Sequence, residues 1–190
     1  MPLSLASPRQ PIHTRQVHCH GYRRADGLWD VEGHLTDTKT YGFDSDYRGR
    51  VEAGEPVHEM WVRLTVDDDL IVRGVEAVTD KSPFPVCPVI APNFMRLMGL
   101  SIRPGFLSKV RERLGGIEGC THLVELMGPI ATTAYQTIYP YRHRLARQGG
   151  DAPPQPPKAR PRLIDTCHAF RSDGEIVKRL WPDYYTVARD

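Results

Sequence analysis

The hydrophobic period of this chain changes at Asp80, and that change restricts the fold more than any other feature. Upstream, apolar residues alternate with polar ones. Met60, Val62, Leu64 and Val66 fall on one face of an extended segment, and Glu59, Trp61, Arg63 and Thr65 fall on the other. Leu28 to Asp37 alternates in the same way. His13 to Tyr22 precedes it across an Ala25-Asp26-Gly27 turn, which predicts a β-hairpin. Asp67-Asp68-Asp69 turns the chain back into Leu70–Thr79, a second hairpin. Tyr41 to Glu55 is polar and glycine-containing and reads as a loop.

Downstream of Asp80 the period lengthens. Lys81 to Pro88 carries three prolines in six residues, Pro83 to Pro88, and reads as a rigid loop holding Cys87. Pro92 suits a first helical turn, with Phe94, Met95, Leu97 and Met98 apolar and Gly99 ending it. Pro104 starts another helix; Leu107, Val110 and Leu114 face inward and Gly115-Gly116 stops it. The third is the strongest. Leu123, Leu126, Met127, Ile130, Ala131, Ala134 and Ile138 step by 3, 1, 3, 1, 3 and 4, and Pro140 closes it.

Strands first and helices after predict an α+β fold: an antiparallel sheet of three to five strands packed against helices. The expected organisation is a lead-in over 1–12, one domain over 13–147, a proline-rich linker over 148–161 and a tail over 162–190. The tail is too short to fold alone and is expected to pack back on the domain.

A net charge of +2 and scattered arginines give no case for a phosphate-tracking groove, so nucleic acid is not an expected partner. No apolar run is long enough to span a bilayer, and no export signal is evident. The expected compartment is therefore a reducing cytoplasm. There the four cysteines, Cys19, Cys87, Cys120 and Cys167, are thiols or ligands rather than disulfides. None forms a CxxC pair.

Cys120 stands where a glycine loop becomes a helix, facing unpaired backbone N–H groups that favour thiolate. His122 follows two residues later. His58 begins a strand, and Cys87 lies in the loop after the next strand. Together His58, Cys87, Cys120 and His122 make a sound set for a single zinc or iron ion. Cys120, His122 and His34 are the candidate catalytic groups, and Arg23, Arg24 and Trp29 the candidate substrate contacts, with Asp37 and Lys39 beside them. Each has a plainer reading: a cysteine as a small core residue, a histidine facing solvent, a tryptophan as a core anchor. Cys167-His168 is a second pair, but neighbours in a strand point to opposite faces.

The run Gly21 to Leu35, with Thr79-Asp80-Lys81-Ser82-Pro83-Phe84, Leu97-Met98-Gly99-Leu100 and Gly119-Cys120-Thr121-His122-Leu123, resembles the bacterial family of domain of unknown function 2889 from His13 to Pro182. That resemblance implies no activity. From Gly54 to Ile138 the order of elements is similar to the iron–sulfur scaffold family of the IscU, SufU and NifU type, which implies a SufE/NifU-like sandwich. On that likeness Cys87 and Cys120 stand for the second and third scaffold cysteines, and His58 is nearest the missing first. The expected function is a metal- or thiolate-dependent enzyme acting on a small, aromatic or carboxylate-bearing molecule. The alternatives are an iron–sulfur or persulfide accessory protein and a non-catalytic ligand- or partner-binding domain. Homo-oligomerisation is left open.

Overall fold

In the computed structural model, residues 3–148, 160, 161 and 163–187 are described. The chain divides into two units, Met1–Gln148 and Gly149–Asp190. The first is the α+β domain. Its sheet has the order β1-β2-β5-β6, with every neighbour antiparallel. The strands are β1 (His13–Arg23), β2 (Trp29–Lys39), β5 (Pro56–Val66) and β6 (Val72–Lys81). Gly27, at φ 86°, takes the left-handed conformation that the β1–β2 turn needs.

The segment expected as a loop carries a small hairpin, β3 (Phe43–Ser45) with β4 (Gly49–Val51). Its polar sequence hides the anchors. Val51 is buried, and Arg48 donates to the carbonyls of Pro56 and Val57 and to Glu55.

Alternation gives the sheet two chemically distinct faces. Trp29, Val31, Leu35, Met60, Val62, Leu64 and Val66 are buried against the helices. The helical layer contributes Phe94, Leu97, Leu123, Leu126, Met127 and Ile130. Each such side chain contributes roughly 1.5–3 kcal/mol when fully buried. Trp61, by parity on the other face, stacks on His34 with ring centroids 3.6 Å apart.

The helices differ from expectation in three respects. A 3-10 helix, Cys87–Leu97, begins inside the proline run and follows β6. Its three-residue turn puts Phe94 and Leu97 inward and leaves Met95 and Met98 exposed. In α1 (Phe106–Leu114) the inward set is Phe106, Val110 and Leu114, and Leu107 lies exposed. The last helix is broken into α2 (Thr121–Glu125) and α3 (Met127–Arg147), and it does not stop at Pro140. Pro140 is exposed on the outer side of the helix, so water can satisfy the carbonyl its ring leaves without a donor.

Helix α3 crosses β1 and β2 at two residues without side chains. A Cβ on Gly21 would meet Thr137 Oγ1 at 1.9 Å, and one on Gly33 would meet Ile130 at 2.8 Å. This close approach brings α2, just upstream, over the far ends of β2 and β5.

In the second unit, a 3-10 helix His168–Phe170, α4 (Glu175–Leu180) and a 3-10 turn Pro182–Tyr184 follow one another, and Phe170 lies against Trp181 with ring centroids 5.8 Å apart. The expected linker lies almost wholly outside the described residues. Among the described residues no helix is long and apolar enough to cross a membrane.

Candidate metal centre

Strand register assembles the centre. Arg15 lies opposite Asp37 in the β1–β2 ladder, and Asp37 lies opposite His58 in the β2–β5 ladder. The three make one cross-strand row, whose side chains share a face. Asp37 has the parity of Trp29, Val31 and Leu35, so it points inward and is only 1% exposed. A β-bulge between Asp37 and Thr38 ends the regular pairing there.

A carboxylate so buried needs donors, and Asp37 has four. Oδ1 accepts from His13 Nε2 at 3.0 Å and Arg15 Nε at 2.8 Å. Oδ2 accepts from Arg15 Nη2 at 2.8 Å and His58 Nδ1 at 3.1 Å. Burial alone would raise the Asp37 pKa, but the Arg15 fork, with His13 and His58, overcomes it and holds the carboxyl at about 2. Arg15 also pairs with Glu125 of α2, which ties the β1 edge to the helical layer.

The first turn of α2 places His122 over this row. Its ring stacks on that of His58, centroids 3.8 Å apart and 30° between planes, and its Nε2 is 3.9 Å from Asp37 Oδ2. Both imidazoles are pushed below the ordinary histidine value. Burial is the main cause for each, followed by the neighbouring His122 for His58 and by Arg15 for His122. Both shifts favour the uncharged rings at neutral pH, and an ion on His58 Nδ1 would replace the proton that this nitrogen donates to Asp37 Oδ2.

One ligand atom from each of Asp37, His58 and His122 lies within 4.8 Å of the others. Two ligands about 2.1 Å from a common ion stand about 3.0 Å apart at a right angle and about 3.4 Å apart at a tetrahedral one. The 3.1 Å between His58 Nδ1 and Asp37 Oδ2 falls between these values. His122 Nε2, 3.9 Å from Asp37 Oδ2, stands about half an ångström beyond the tetrahedral separation from that oxygen.

The sequence-derived candidates distribute unevenly. His58 and His122 are brought together. Cys120 lies at the margin, its Sγ 3.9 Å from His122 Nδ1 and 3.9 Å from Met60 Sδ. The two-thiolate ligand set is not formed: among the described residues the only group of three ligands consists of a carboxylate and two imidazoles. Cys87 opens the 3-10 helix that follows β6, two strands away from β2.

His34 points to the opposite face of the sheet from Asp37, where it stacks on Trp61 and its Nε2 lies 3.2 Å from Glu59. Trp29 is at the other end of β2, roughly 26 Å along the strand from Asp37. It is buried, donates Nε1–H to Asp68, and lies under the Arg23 guanidinium. Arg24 is engaged by Asp26 and Asp30. Cys167 and His168 belong to the second unit.

The sequence reading places Asp37 beside the candidate substrate contacts and not among the candidate ligands. The signal was present: a carboxylate on the apolar parity of an alternating strand must be paired or must bind something.

Comparison with known proteins bears on the family alone. The profile described as "Protein of unknown function (DUF2889)" matches residues 13–136, and the chain belongs to this family. No curated protein and no solved structure matches it, and the likeness to the iron–sulfur scaffold fold is not confirmed.

Proposed function

We propose that this family member is a metal-dependent enzyme that holds one divalent ion, zinc or iron(II), between Asp37, His58 and His122 and acts on a small organic molecule. The observation that carries it is the convergence of one buried, ionised carboxylate and two neutral imidazoles within 4.8 Å. Two histidines and a carboxylate suit either ion and leave coordination positions for a substrate. A bound ion supplies Lewis-acid polarisation of a substrate oxygen.

The chain supplies the rest. Arg15 keeps Asp37 ionised and fixes its plane through two parallel hydrogen bonds. His13, partly exposed, donates to Asp37 Oδ1 and helps fix the carboxylate from the β1 side. Cys120 sits against the Nδ1 of His122, the ring nitrogen turned away from Asp37, and orients that ring. Metal analysis of protein purified without added metal is the test. About one equivalent in the parent, and loss of most of it in His58→Ala with His122→Ala, supports the reading. Less than about a tenth of an equivalent refutes it.

A second reading is favoured by one geometry. Cys120 Sγ, the two ring nitrogens of His122 and Asp37 Oδ2 form a thiol–imidazole–carboxylate line with 3.9 Å at each step. A thiol nucleophile activated in this way needs no ion. Rapid inactivation by iodoacetamide in chelator-treated protein, abolished by His122→Ala, would favour it over the metal.

A further inference from the structure

A groove of about 420 Å³ runs between α1 and the α2–α3 segment, on a different side of α2 from His122. Its floor is apolar: Leu107, Val110, Leu114 and Val124. Gly128 keeps one wall open, because even an added Cβ there would come no nearer than 3.9 Å to Leu107. Leu107, exposed despite its place in an amphipathic helix, presents its side chain to this space.

Two charged residues line the groove, and they are not equivalent. Glu125 is neutralised by Arg15. Arg111 has no ion-pair partner among the described residues, so it is the one unmatched charge at an apolar floor. Small-ligand sites have this composition, mostly hydrocarbon with one or two polar groups that fix orientation, and this volume lies toward the lower end of their range. A guanidinium fork beside hydrocarbon matches a carboxylate attached to an apolar body.

We propose that this groove binds a small monoanionic organic acid, its carboxylate on Arg111 and its aliphatic or aromatic body on Leu107 and Val124. The site stands independently of any ion at Asp37, so its test is made on chelator-treated full-length protein. The probes are hexanoate and benzoate, with hexanamide as the neutral isostere of the first, followed by amide NMR shifts.

Saturable shifts confined to α1, α2 and the start of α3 are expected with at least one acid, with hexanamide about tenfold weaker than hexanoate. Arg111→Gln should lower acid affinity about tenfold, to the level of the amide, and Arg111→Lys should restore part of it. Gly128→Leu, which fills the groove, should remove binding while leaving the urea midpoint nearly unchanged. No saturable shift with either acid at tens of millimolar, equal affinity for hexanoate and hexanamide, or unchanged affinity in Arg111→Gln would each overturn the proposal.

Discussion

Replacing Arg15 by methionine removes two of the four hydrogen bonds that Asp37 accepts while keeping the apolar stem of the side chain. The carboxyl is held at about 2, against an ordinary 3.8. At 1.36 kcal/mol per pKa unit, that difference amounts to about 2 kcal/mol of folding free energy at neutral pH. The sign follows from the direction of the shift. A depressed carboxyl stabilises the fold above its unfolded value and loses that contribution as pH falls through its folded one. With Arg15 the largest of the groups that lower Asp37 against its burial, and His13 and His58 adding to it, the gap between parent and Arg15→Met should reach about 2 kcal/mol at pH 7 and about half that at pH 3. With a urea slope of about 2 kcal/mol/M, the pH 7 midpoint should drop by about 1 M. Tryptophan fluorescence of chelator-treated protein reads both midpoints. A gap that is no smaller at pH 3, or one below about 0.5 kcal/mol at pH 7, would refute the view that Arg15 keeps Asp37 charged.

The other expected outcomes rest on different parts of the molecule. Gly21→Ala drives a methyl group into Thr137 where α3 crosses β1, and should cost about 1–3 kcal/mol by urea titration. Ile130→Ala removes a fully buried side chain under Gly33 and should cost about 2–5 kcal/mol in the same assay. His58 and His122 have depressed pKa values, so metal-free protein should lose stability as pH falls below about 6.5, and His58→Gln should flatten that slope. Thiol labelling with a chromogenic disulfide should find exposed Cys167 first and Cys19 last, because burial pushes the Cys19 thiol up and out of its reactive form.

Periodicity alone carried much of the fold. Both long hairpins and the α+β class are visible in it, and Trp61 falls on the outer face as its alternation requires. The helical half was less legible, because Phe94 and Leu97 follow a three-residue turn rather than a 3.6-residue one. The α2–α3 break at Leu126 leaves the apolar steps intact, so spacing could not show it. The site was half visible. His58 and His122 stand out as residue types, but their neighbour Asp37 sits in an ordinary-looking Thr-Asp-Thr run. Parity would have found it. Asp37 shares a face with Trp29 and Leu35, and the same count places His34 on the other side. Cysteine chemistry drew attention to Cys87, whose place beside β6 depends on how the proline run coils, and no local spacing encodes that.

The claim on which the functional reading stands is that Asp37, His58 and His122 share one ion. Anomalous diffraction from crystals grown with zinc or, anaerobically, with iron(II) tests it most directly. The account predicts a single peak about 2.0–2.2 Å from Asp37 Oδ2, His58 Nδ1 and His122 Nε2. A peak held by Cys87 or Cys120, or no peak among these three residues with the Arg15–Asp37–His58 row intact, would contradict it.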